Sequence, residues 1–186
     1  CGWPMVTSQF GVLDRCRIPN DAYYFYLQEW TASPMVHVFP HWTWPGKEGQ
    51  EIDLWCYSNC EAVELFLNDK SLGVKKCQPM THLSWNIPYQ PGTLKACALK
   101  GGKVICVDEV KTAGKPAAIE LSADRNIIKS DGSDLSFVTV KILDEQGNLV
   151  PSGNNEIVFK VQGSWRLLGI CCGASASHEI ALADRM

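Results

Sequence analysis

Acid–base chemistry in this chain would be sought first among its carboxylates, which include Glu48, Glu51, Asp53, Glu61, Glu64, Asp108 and Glu109. Hydrolysis of an acetal-type bond by two carboxyl groups needs them about 5 to 10 Å apart, with one held protonated by its surroundings. These residues fall on turns or on the solvent side of alternating strands, where a carboxylate is ordinarily just solvated. No catalytic pair is nominated. His37, His41, His82 and His178 are too scattered in sequence for a triad or a metal site. His41, between Pro40 and Trp42, reads as a hydrogen-bonded structural imidazole. Neither a G-x-S-x-G elbow nor a phosphate-cradling glycine loop is present.

The cysteines number nine, without paired C-x-x-C knuckles. Cys56, Cys97 and Cys106 lie in strand-like runs where Val or Ala would serve equally well, and they read as buried free thiols. No metal and no cofactor is expected. Aromatics are a richer set: Trp3, Trp42, Trp44, Trp55, Trp85 and Trp165 could build a flat platform on which a sugar ring stacks. Tryptophan in a small sandwich more often packs between sheets. Trp55 and Tyr57, expected on the outward side of one strand, are the candidates for sugar stacking.

The elements that would carry these residues follow from periodicity. Residues 1–18 read as loop, and Asn20 then caps a helix running through Tyr23, Tyr24, Phe25, Tyr26, Leu27 and Trp30, with Asp21 in its first turn. Its aromatic face is expected to have little to bury against in so β-like a chain. From Met35 the pattern turns to period two. Ile52, Leu54 and Cys56 alternate with Asp53, Trp55 and Tyr57; Val63, Leu65 and Leu67 alternate with Glu64, Phe66 and Asn68. A corner at Asn68-Asp69-Lys70 makes a hairpin with Ser71–Lys75, and further strands are expected at Leu83–Pro88, Thr93–Lys100 and Val104–Val110. Six or seven short strands in about 80 residues indicate a small antiparallel sandwich.

Lys111–Pro116 reads as a linker. Beyond it, strands are expected at Ala118–Ala123, Phe137–Leu143, Ile157–Val161 and Arg166–Ile170. The domain boundaries implied are 1–33, 34–112 and 113–186. A net charge of -3 offers no basic footprint for nucleic acid. No apolar run approaches the roughly 18 residues of a membrane helix.

Four segments, GWPMVTSQFGVLD (Gly2–Asp14), PNDAYYFYLQEW (Pro19–Trp30), HVFPHWTWPGKEGQEI (His37–Ile52) and AVELFLNDKSLG (Ala62–Gly73), resemble family 2 glycoside hydrolases of the β-galactosidase-like type found in gut bacteria. KPAAIELSADR (Lys115–Arg125) and SFVTVKILDEQGNLVP (Ser136–Pro151) resemble the accessory domain that comes next in that family. Cys171-Cys172 departs from the pattern, standing where a Gly-Asn-type turn is expected.

The resemblance implies a mainly β chain: tandem immunoglobulin-like antiparallel β-sandwiches, the second truncated, preceded by a loop-helix remnant of a (β/α)₈ barrel. It implies that the parent hydrolyses terminal β-galactosides by a retaining mechanism with two glutamates, both upstream of Cys1. This chain alone would then be inactive, its carbohydrate substrate bound through the barrel, and homo-oligomerisation and export both open. Loops after barrel strands line the catalytic face, which puts Trp3 at the rim of the substrate cleft. Two other readings compete: a stand-alone carbohydrate-binding module, and an adhesion tandem of sandwiches that leaves the aromatic helix unexplained.

Overall fold

The computed structural model describes residues 11–172. Helix α1 spans Asp21–Trp30 and is followed by strands β1 (Val36–Phe39), β2 (Glu51–Ser58), β3 (Ala62–Leu67), β4 (Lys70–Lys76), β5 (Leu83–Pro88), β6 (Thr93–Lys100) and β7 (Lys103–Lys111). These strands form two antiparallel sheets, ordered β1-β2-β5 and β4-β3-β6-β7. The constant-type immunoglobulin arrangement sets four strands against three with the fourth strand beside the fifth. Here the fourth strand hairpins onto β3 instead, so the count is reversed. The hairpin chemistry explains why: Asn68 and Asp69 both take positive φ, 49° and 63°, as a tight two-residue turn requires.

Alternation puts one side of each strand between the sheets. Leu54 and Cys56 of β2, Val63 and Leu65 of β3, and Leu94, Ala96 and Ala98 of β6 are fully enclosed, joined by Val38, Trp42, Trp85, Ile87 and Tyr89. Each large apolar side chain removed from water here contributes about 1.5–3 kcal/mol, so this layer dominates the stability of the sandwich. β4 is an outer strand of its sheet and carries Lys70, Lys75 and Lys76, whose charge discourages pairing with another chain.

Two expectations change on contact with the structure. Asn20 occupies the N-cap position but makes no side-chain cap; its Nδ2 donates to the Gly11 carbonyl at 2.8 Å, tying the preceding loop instead. The Lys111–Pro116 segment does not hang free. Thr112 Oγ1 donates to Trp42 O, Ala113 N donates to Thr43 Oγ1 at 2.9 Å, and Gly114 N donates to Asp144 Oδ2 at 2.8 Å. Asp144 is buried and also accepts from the amides of Gln146 and Asn148. Those backbone donors, Gly114 first, pull its carboxyl down to about 2.

Beyond the connector, β8 (Ala118–Ala123) pairs antiparallel with β9 (Val138–Leu143). Within Ile157–Val161 only Val158 takes a bridge position, and Arg166–Ile170 forms no strand with another segment among the described residues. Apolar alternation earns strand geometry only where a neighbour's N–H and C=O groups complete a ladder, and none does so for these segments among the described residues.

Candidate functional site

The outward face of β1-β2-β5 holds the chemistry-bearing residues. Cross-strand register places His37 opposite Tyr57, Phe39 opposite Trp55, Trp55 opposite Ser84, and Asp53 opposite Asn86, all on one side. At one end of this face lies α1. The Tyr24 ring stacks on the His37 imidazole with centroids 3.6 Å apart, and Phe25 meets Tyr57 edge-on at 5.6 Å. The helix thus has a definite surface to bury against, contrary to the expectation from composition. Asp21, Tyr24, Phe25 and Gln28, spaced three and four apart, fall on that surface as helical periodicity requires.

Polar groups fasten the same junction. Gln28, buried in the middle of the contact, accepts from Ser58 N at 2.9 Å and donates to Thr81 O at 3.0 Å. Glu29 accepts from Met80 N at 2.9 Å. Asn59 donates to Thr31 O and Ser33 O and accepts from Met35 N, stitching the segment after the helix to the β2–β3 turn. His37 Nε2 lies 3.2 Å from Asp21 Oδ1 of the helix, and its Nδ1 lies 3.5 Å from Asp108 Oδ2 of β7. Asp108 Oδ2 also accepts from Val38 N at 2.8 Å, bonding β1 to the opposite sheet.

Asp108 is therefore not a solvated surface charge, as its position in a strand suggested. It is half-buried; desolvation opposes its ionised form, but the bonds from His37 and from the amides of Val38 and Glu109 outweigh this and hold its carboxyl below the ordinary range. His41 does behave as a structural imidazole, its Nδ1 accepting from Thr43 N at 3.2 Å and its ring stacked on Trp44.

The two sugar-stacking candidates part company. Trp55 is 37% exposed, donates its indole N–H to Asp53 Oδ2 at 2.9 Å, and has His82 stacked on one ring face at 3.9 Å. Tyr57 is only 8% exposed, roofed by Phe25 and flanked by Phe39 at 4.8 Å. They share a face but make no open platform, because the helix occupies half of it. Trp42 and Trp85 are core residues, and Trp3 lies outside the described residues.

Asp21 and Asp108 converge on the His37 imidazole, which fills the space between them, and Asp124 and Asp134 close in the same way on the Arg125 guanidinium, so neither pair leaves room for a sugar ring. A groove of about 380 Å³ beside Thr43, Tyr89, Thr112 and Asn154 contains one carboxylate, Glu48, and one ammonium, Lys115. It too lacks an acid pair. Among the described residues no group of three or more His, Cys, Asp or Glu could hold a metal ion.

Comparison with known proteins assigns the surroundings of this face. Residues 49–106 match the model of a domain of unknown function (DUF4982), and residues 119–186 match glycoside hydrolase family 2 C-terminal domain 5. The β-galactosidase BoGH2A of Bacteroides ovatus is 48% identical over 180 residues, 96% of this chain and 21% of that protein. The chain belongs to the C-terminal region of glycoside hydrolase family 2. A β-glucuronidase of Formosa agariphila is 28% identical over 87% of the chain and 17% of its own length. The crystal structure of a β-glycosidase from Bacteroides vulgatus superposes with a TM-score of 0.95 at 38% identity, covering 98% of this chain and 24% of that one. The chain spans about a fifth of the length of the curated relatives it matches. Within this family 2 region, the junction residues Gln28, Asn59, His37 and Asp108 are the ones that spacing alone did not reveal. Gln28 did leave a signal: it sits one turn after Tyr24 and Phe25, on the side of the helix that faces the sheet.

Proposed function

We propose that this chain is the non-catalytic support of a β-galactosidase-like family 2 enzyme, whose sugar bond is broken by a retaining pair of glutamates on a (β/α)₈ barrel outside this chain. The observation that carries the reading is the two-sidedness of α1. One side is fastened to the sandwich by Phe25, Gln28 and Asp21, while Tyr26 and Trp30 are open to solvent, Trp30 at 81% exposure. Val12, Leu13 and Ile18 in the preceding segment are exposed as well. An apolar surface of that kind on a helix otherwise anchored to a sandwich suits the outer helix of a barrel. The sandwich then positions the barrel's last helix and shares none of its chemistry.

The purified chain should give no turnover of a chromogenic β-galactoside above buffer background. Measurable hydrolysis, lost on substitution of any carboxylate within it, would refute the assignment. A second reading has one observation in its favour: Trp55 keeps an exposed edge beside Asp53 and Asn86, polar partners of the sort a sugar hydroxyl uses. On the support reading, a glycan array shows no binding that the Trp55→Ala variant removes; binding that this variant abolishes would favour a carbohydrate-binding module.

A further inference from the structure

We propose that His37 is a proton-operated clasp for helix α1: its imidazolium hydrogen-bonds Asp21 of the helix and forms an ion pair with Asp108 of β7, and loss of one proton removes the charge that holds both carboxylates together. The inference rests on geometry at three elements. Asp21 Oδ1 faces Nε2 at 3.2 Å, Asp108 Oδ2 faces Nδ1 at 3.5 Å, and Tyr24 covers the ring at 3.6 Å. A neutral imidazole carries one N–H and one lone pair, so it can satisfy one carboxylate and must turn a lone pair toward the other. The ionisable groups around it are Asp21 and Tyr24 from α1, Asp108 from β7 and Tyr57 from β2. Phe39, its near neighbour on β1, carries no charge.

Burial of His37 by itself disfavours the charged ring, but the bonds to Asp108 and Asp21 outweigh it and the imidazole titrates above its ordinary value of 6.5. A raised basic group stabilises the fold fully below the unfolded value and loses that contribution as pH climbs through the folded one. Asp108 shifts the other way, so its contribution is present above the ordinary carboxylate value of 3.8 and fades as pH falls below it. The clasp is therefore tightest in mildly acidic solution, between those two ordinary values, and loosens toward alkaline pH. What it holds is the same helix on which the support reading turns, so in the whole enzyme the seat of that helix would respond to pH; the clasp itself can be tested without the barrel.

The test uses the full chain. The His37 ring resonances should titrate with a midpoint above 6.5, and this midpoint should fall in the Asp21→Asn variant. Amide hydrogen exchange, corrected for intrinsic pH dependence, should show α1 losing protection relative to β6 from about pH 6 to about pH 8, with the loss absent in His37→Gln. If His37→Gln fails to fold, Asp21→Asn serves, since Asp21 is 55% exposed and lies outside the core. A His37 midpoint at or below 6.5, or the same α1 protection profile in wild type and variants, overturns the clasp. Neither result touches the hydrolysis assay, so failure of the clasp and failure of the support reading are told apart.

Discussion

Replacing Trp42 by alanine should cost about 3–5 kcal/mol of folding stability, the largest loss expected from any single truncation in the sandwich. Its side chain is fully enclosed, its indole N–H donates to Gln90 O at 3.0 Å, and its ring meets Tyr89 edge-on at 5.0 Å. Its own carbonyl also receives the Thr112 hydroxyl, so collapse around the cavity would disturb the segment leading out of β7. Set against the roughly 5–15 kcal/mol that holds a domain together, this is between a fifth and all of the total. Urea unfolding followed by tryptophan fluorescence and far-UV circular dichroism measures the loss. A cost below about 1 kcal/mol would mean that Trp42 does not nucleate the packing between the sheets.

The second large effect comes from a residue with no side chain. Gly92 has φ +142°, and a Cβ placed on it would overlap the Asn68 carboxamide. That carboxamide is itself engaged: Oδ1 accepts from Thr93 N at 2.9 Å and Nδ2 donates to Pro91 O at 3.2 Å. Gly92→Ala therefore strains the backbone and displaces Asn68 from both bonds, for about 2–4 kcal/mol in total. The double variant with Asn68→Ala should be less destabilised than the sum of the single changes, because it removes the overlap. Strict additivity would show that backbone strain alone sets the cost.

Local signals made α1 and the β3–β4 hairpin legible in the sequence, since a helix start and an Asn-Asp corner are settled by residues close together in the chain. The inward sides of β2, β3 and β6 were legible for a similar reason: period two says which residues share a side. It does not say what covers that side. Trp55 and Tyr57 read alike, yet Phe25, 32 positions before Tyr57, buries one and leaves the other open. The clasp was invisible for the same cause, because His37 and Asp108 are brought together only when β1 closes against β7. Ile157–Val161 has a good strand pattern too, but among the described residues it joins no ladder and only Val158 takes a bridge position.

The fastening of residues 112–114 bears on how the whole chain tumbles in solution. With Thr43 and Asp144 gripping consecutive amides from opposite sides, the connector behaves as a weld rather than a string. NMR relaxation should accordingly return one rotational correlation time for β1–β7 and β8–β9 together, and any push delivered to the β8–β9 pair is passed on to the sandwich instead of being absorbed by a swivel.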